Sequence, residues 1–147
     1  MLLIRNKKSI FAESFTRMKQ KILSNAFIID QVNRYDIHGK RLFELGDKFY
    51  FEDLGIRNHI IGGNRRFDIE KVMENAVYIH LCRMGYKVYV GQIYKAEIDF
   101  VAEKADSVAY VQVTYLLASE ETVEREFGNL KLIKDSHPKY VISMDRL

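Results

Sequence analysis

Tryptophan is absent from this chain of 147 residues, proline occurs once, at Pro138, and cysteine once, at Cys82. A single thiol cannot close an internal disulfide, so the fold must rest on packing alone. That cysteine usage, with an opening Met1-Leu2-Leu3-Ile4 too short for an export signal, fits a reducing cytoplasm. With one proline and eight glycines there is no Pro/Gly-rich linker and no low-complexity tract. No run approaches the roughly 20 apolar residues of a membrane span, so no membrane partner is expected. The glycines never take the spacing of the loop that cradles nucleotide phosphates. ATP hydrolysis by that route is excluded, and no nucleotide site is expected.

Nearly half of the residues are apolar and 29% are charged, the balance of an ordinary soluble globule of one domain or one with an appendage. The net charge of +3 is unevenly spread: residues 1–68 hold 13 Lys and Arg against 8 Asp and Glu, and residues 69–147 hold 10 against 12. Six bases and one acid fall in the first 25 residues. Lys7, Lys8, Arg17, Lys19 and Lys21 form a basic arm suited to nucleic acid, with a solvated helix face as the plainer alternative.

Apolar spacing predicts a helix over residues 8–24. A β-hairpin follows, with strands over 26–32 and 41–51 (interrupted at Gly46-Asp47) and a turn at His38-Gly39-Lys40. Asp53 caps a short helix over 53–58. A boundary near residue 64 divides the chain into 1–64 and 65–147. In the second part Ile69, Val72, Met73, Ala76, Val77, His80, Leu81 and Met84 share one face of a helix closed by Gly85. His80 on that stripe reads as a core histidine and Cys82 as a small buried hydrophobe. Strands over 86–90, 96–102 and 109–115 follow, then a helix over 120–133 and a strand over 140–144. The order is αβββαβ, a small mixed sheet flanked by helices.

Two of these strands carry polar groups where hydrocarbon is expected. Alternation places Glu97 and Asp99 on one face, opposite Ile98 and Phe100, and Gln112 and Thr114 on one face, opposite Val111 and Val113. Paired, the strands would bring four polar groups to one spot. Buried carboxylates need partners, and oxygen ligands on adjacent strands, with Glu74 from the preceding helix, could hold Mg²⁺. The structural alternative is that Glu97 and Asp99 cap or pair with Lys and Arg at a sheet end. Abundant tyrosine suits strands better than a base-stacking platform, and the four histidines show no metal spacing.

This order, with an acid in the second strand and a polar pair in the third, resembles the PD-(D/E)XK nuclease superfamily, the restriction-endonuclease-like fold. The resemblance puts Glu74, Asp99 and Gln112 in the places of the helix acid, the strand acid and the motif Glu, and so of the metal ligands. Thr114 stands in the place of the catalytic Lys, with Lys95 and Lys104 the nearby lysines that could replace it. Segments at 34–40, 48–58, 74–78, 83–91, 97–102, 125–127 and 138–145 together resemble the C-terminal domain that follows an AAA-type ATPase module in prokaryotic proteins. The likeness covers about residues 26–145. It implies an ATPase and then a winged helix ahead of the nuclease-like domain, so that this chain is the tail of such a protein and residues 1–64 a winged-helix remnant. Gln112-Val113-Thr114-Tyr115 is familiar in that group in place of Glu-x-Lys. The function implied is a DNA- or partner-binding module with a degenerate catalytic motif; the alternative is an active Mg²⁺-dependent DNA endonuclease. An exposed apolar N-terminal helix would favour a homodimer.

Overall fold

A computed structural model describes residues 16, 18–43, 46–61 and 68–145. Among them are four helices and a mixed sheet. Residues 18–25 are helical and exposed or half-buried, with Met18 and Ile22 open to solvent. The hairpin follows as β1 (Ile29–Val32), β2 (Arg34–Asp36), β3 (Arg41–Leu42) and β4 (Lys48–Phe51). Its base, β1 against β4, is an antiparallel pair of its own, while its tip, β2 against β3, bends into the main sheet. Helices α1 (Leu54–Ile61) and α2 (Ile69–Arg83) come next, then β5 (Lys87–Ile93), β6 (Ala96–Lys104), β7 (Ser107–Val113), α3 (Glu120–Lys131) and β8 (Lys139–Ile142).

The six-stranded sheet has the order β3-β2-β5-β6-β7-β8, with β2 parallel to β5, β8 parallel to β7, and the other neighbours antiparallel. The sheet therefore draws strands from both sides of the boundary expected near residue 64. Two-residue turns join β5 to β6 and β6 to β7. Their first residues, Tyr94 and Ala105, have φ of 53° and 47°, the left-handed geometry that matches the twist of a tight hairpin. Gly85, with φ of 83°, ends α2: its N–H donates to the Cys82 carbonyl at 2.9 Å and that of Tyr86 to the Leu81 carbonyl at 3.1 Å, the paired bonds that satisfy the last carbonyls of a helix.

Two apolar clusters fill the two faces of the sheet. One joins Tyr78 and Leu81 of α2 to Val90, Phe100 and Val111. The other joins Leu130 of α3 and the following Ile133 to Tyr89, Val101 and Tyr110. Helix α2 is rotated from the face expected of it. Its buried residues are Asn75, Tyr78 and Leu81, while His80 and Cys82 are exposed and Met84 is open to solvent. His80 is therefore not a core histidine and Cys82 not a buried hydrophobe. Specific contacts override the aliphatic stripe: the Tyr78 ring stacks on Tyr50 at 4.6 Å, and the Asn75 side chain bonds the backbone N–H and C=O of Phe51 at 2.9 and 2.7 Å. Buried polar groups need such partners, and here they set the helix phase.

The expected common face of Ile98 and Phe100 is also corrected. Ile98 lies in the α3-side cluster and Phe100 in the α2-side cluster. The register explains it: Gly91 opposes Ile98 and Tyr89 opposes Val101, so Val90 alone faces both Asp99 and Phe100. This β-bulge reverses the alternation halfway along β6.

A candidate site where three strands and two helices meet

The polar groups of β6 lie in two neighbouring settings. Glu97, before the bulge, turns toward the hairpin. One carboxylate oxygen lies 2.5 Å from Arg34 Nη1 of β2 and the other 2.6 Å from Lys48 Nζ of β4. Lys48 also reaches Glu74 of α2, at 2.9 Å, and the Tyr50 hydroxyl donates to the same Glu74 oxygen at 2.5 Å. Alternation along β4 aims Lys48 and Tyr50 the same way, and the α2 rotation presents Glu74 to both. Burial works against the Lys48 charge, but its bonds to Glu97 and Glu74 outweigh it and hold the ammonium above its usual range. Burial likewise opposes the Glu97 charge, and the bonds from Lys48 and Arg34 prevail and lower its carboxyl. Burial, aided by Glu74, raises the Tyr50 hydroxyl, which stays protonated.

Asp99, at the bulge, fills a gap between β6 and β7. The register of these strands ends at Phe100 against Val111. Beyond it, side chains take over the ladder: the Val113 N–H donates to Asp99 Oδ2 at 2.8 Å, and the Asp99 N–H to Gln112 Oε1 at 3.3 Å. Asp99 is 9% and Gln112 8% exposed. Burial pushes the Asp99 carboxyl up to about 7; the Val113 N–H opposes this, Glu74 and Glu126 add to it, and Lys48 opposes it. Asp99 thus lies within the electrostatic reach of the Lys48 and Glu74 group. Thr114 is buried and its N–H bonds the Ile142 carbonyl, holding β7 to β8.

The residues singled out in the sequence divide accordingly. Glu74 and Glu97 meet through Lys48, Asp99 and Gln112 interlock through the backbone, and Thr114 continues the sheet. They do not form one four-residue face: Glu97 is taken up by Arg34 and Lys48, whereas Asp99 and Gln112 bond the backbone between β6 and β7. Neither lysine considered as a replacement enters the site: Lys95 is exposed in the β5–β6 turn, and Lys104 donates to the Met84 carbonyl at 2.7 Å. Lys48 is the lysine that does. Sequence reasoning missed it, with Arg34, Tyr50 and the buried Glu126 of α3, whose carboxylate is held by Arg125 at 2.8 Å. The available signal was the alternation of Lys48 and Tyr50 on one face of β4. Of the basic arm, Lys19 and Lys21 are exposed on the first helical segment; Lys7, Lys8 and Arg17 lie outside the described residues.

As arranged, the donors do not fit a resident Mg²⁺. Glu74 and Glu97 share the Lys48 ammonium and Glu97 also holds the Arg34 guanidinium, Gln112 Oε1 accepts a backbone N–H, and burial raises the Asp99 carboxyl to about 7. Among the described residues no group of three or more His, Cys, Asp or Glu side chains is placed to hold a metal ion. The arrangement can bridge a hairpin to a sheet by charge and keep one buried carboxyl poised around neutral pH.

The chain is 40% identical over 122 residues to an uncharacterized protein of Haemophilus influenzae strain Rd. The match takes in 83% of this chain and 30% of that relative, so the chain spans about a third of the relative's length. No family model and no solved structure matches the chain. Among the described residues no helix is long and apolar enough to cross a membrane.

Proposed function

We propose that this chain is a nuclease-like module of a longer protein bearing an AAA-type ATPase, and that it binds DNA or a partner without cutting. The αβββαβ order of α2 to β8, with splayed central strands at Asp99, supports a restriction-endonuclease-like reading of the fold, and the preceding hairpin supports a winged-helix origin. The match to under a third of a relative supports a module within a larger protein. The observation that carries the non-catalytic reading is Lys48 between Glu74 and Glu97 at 2.9 and 2.6 Å. A cation made of protein stands between the carboxylates that a metal would need, and releasing it would leave Glu74 with only the Tyr50 hydroxyl and Glu97 with only Arg34.

The deciding experiment incubates the protein with linear and branched DNA in Mg²⁺ or Mn²⁺, beside Asp99→Ala. Equal, background-level products are expected from both. Cleavage that Asp99→Ala abolishes would establish the endonuclease reading instead. In parallel, DNA binding is expected to weaken with salt, and neutralising Lys7, Lys8, Arg17, Lys19 and Lys21 should flatten that dependence by up to roughly 0.9 log units per lost phosphate contact. Binding indifferent to salt and to those substitutions would remove DNA and leave a protein partner.

A further inference from the structure

On the sheet face covered by α3, opposite the Lys48 site, lies a cavity of about 220 Å³. Its walls include the rings of Tyr35, Tyr89 and Tyr110, from three strands of one sheet. Val101 and Val108 contribute apolar surface to it, and the β2–β3 turn and the segment after α3 close its sides. Tyr89 and Tyr110 are buried at 8% and 4% exposure, and Tyr35 and Tyr89 sit 5.7 Å apart between centroids. Tyr110 is fixed by donating to Asp135 Oδ2 at 2.6 Å. These rings are preset rather than loose.

The polar groups also lining the cavity are of two kinds. Asp135 is already occupied, by Tyr110 and by Lys139 at 3.1 Å. Lys40 and Glu103 are exposed, and their side chains make no hydrogen bond or ion pair among the described residues. A donor at Lys40, an acceptor at Glu103 and the His137 imidazole, edge-on to Tyr110 at 6.3 Å, therefore line a single aromatic hollow.

Size, charge and this pairing select among guests. The volume falls below the roughly 300 Å³ at which pockets for drug-sized ligands begin, so one flat ring system is the scale. A cationic guest would compete with lysines already present: Lys87 Nζ stands 5.3 Å from the Tyr89 centroid and Lys139 Nζ 5.5 Å from that of Tyr110. A purely apolar guest would make no use of Lys40 and Glu103. A neutral heteroaromatic ring with a donor and an acceptor along one edge satisfies all three conditions. We propose that this hollow is a binding site for a nucleobase, which packs on the tyrosine rings and presents its hydrogen-bonding edge to Glu103 and Lys40. Base-on-aromatic packing tolerates every base, and the donor–acceptor edge supplies a preference. The proposal does not depend on the reading of the Lys48 site, since it uses the other face of the sheet and no catalytic group.

The test is an NMR titration of the intact chain with adenosine, guanosine, cytidine and uridine, and with short homo-oligonucleotides of the same bases. Saturable shifts at Tyr35, Glu103 and Val108 are expected for at least one base. Binding of the free nucleoside assigns the hollow to small nucleotides, and binding of the oligonucleotide alone assigns it to an unstacked base of a strand. Either supports the site. The surface double variant Lys40→Gln with Glu103→Gln should weaken binding about tenfold or more, and Val108→Trp, which fills the hollow, should abolish it. If Val108→Trp does not fold, the double variant decides. No saturable shift for any probe up to roughly 10 mM would overturn the proposal. So would binding that neither variant alters, or binding of tetramethylammonium in place of every nucleoside.

Discussion

Lys48 and Glu97 meet at 2.6 Å across the seam between the hairpin and the six-stranded sheet. The same ammonium reaches Glu74 at 2.9 Å. It therefore ties β4, α2 and β6 together at one half-buried point. Removing one member of a charge cluster costs more than the cluster contributes, because the partners remain. Lys48→Met should destabilise the protein by roughly 2 kcal/mol, reduced from the fully buried case because Glu97 stays partly solvated. Urea denaturation measures this, and Glu74→Gln in the Lys48→Met background should recover part of the loss. A Lys48→Met midpoint equal to wild type would sink the account of the cluster.

Asp99 makes stability fall as pH rises from about 4 to about 7. Its folded-state pKa of about 7 lies above the ordinary 3.8, so the folded protein holds a proton that the unfolded chain releases. The penalty is absent below about pH 4, grows between there and about 7, and is then constant, at up to about 4 kcal/mol. Asp99→Asn keeps an oxygen for the Val113 N–H and removes the titration. The variant should gain on wild type between pH 5 and pH 8 when both are unfolded chemically. An unchanged difference between the two pH values would show that the carboxyl is not perturbed as described. Glu97, whose pKa is lowered, acts in the opposite sense and only at more acid pH, and it is common to both proteins.

Asn75 bonds both the N–H and the C=O of Phe51 from a buried position. Asn75→Ala leaves two backbone groups without partners and should cost about 2–4 kcal/mol. Asn75→Asp should also lose stability at neutral pH, because a carboxylate cannot donate to the Phe51 carbonyl. Thermal unfolding followed by circular dichroism ranks the three proteins, and an unaffected Asn75→Ala would refute the role given to this residue in setting the phase of α2.

Gly91 sits beside the bulge with almost no room above its Cα. An added Cβ would lie 2.9 Å from Ile98 Cβ, 2.9 Å from Val101 Cγ2 and 3.0 Å from Ile37 Cδ1. Gly91→Ala should therefore destabilise by roughly 1–3 kcal/mol by overpacking. Shortening one neighbour, in Gly91→Ala with Val101→Ala, which removes the Cγ2 at 2.9 Å, should cost less than the two single changes added together. Strict additivity in a double-mutant cycle would count against the contact.

Much of the architecture was legible from local pattern. The strands β6 and β7, the helix α3 and the turn around Gly39 were all expected within a few residues of their observed places. What escaped depended on contacts between distant segments. The aliphatic stripe of α2 pointed one way, and the Tyr50–Tyr78 stack and the Asn75 bonds turned the helix another. Strict alternation put Ile98 and Phe100 on one face, and one extra residue opposite Val90 parted them. Lys48 read as an ordinary strand residue because both of its carboxylate partners lie far along the chain. Only the pairing of β1 with β4 and of β2 with β5 brings it to them.

The parallel pairing of β2 with β5 carries a consequence for the order in which the protein folds. The β5–β6 and β6–β7 hairpins close over two-residue turns and need little loop entropy, whereas Arg34 to Asp36 must find Val90 to Gln92 across a long intervening chain. The sheet is therefore expected to assemble from β5, β6 and β7 outward, with the hairpin joining late and Lys48 arriving only as it does. Lys48→Met should then act mainly by speeding unfolding while leaving the refolding rate nearly unchanged, a split that stopped-flow measurements resolve. The charge cluster would be a latch that sets how long the finished fold lasts, not how quickly it is reached.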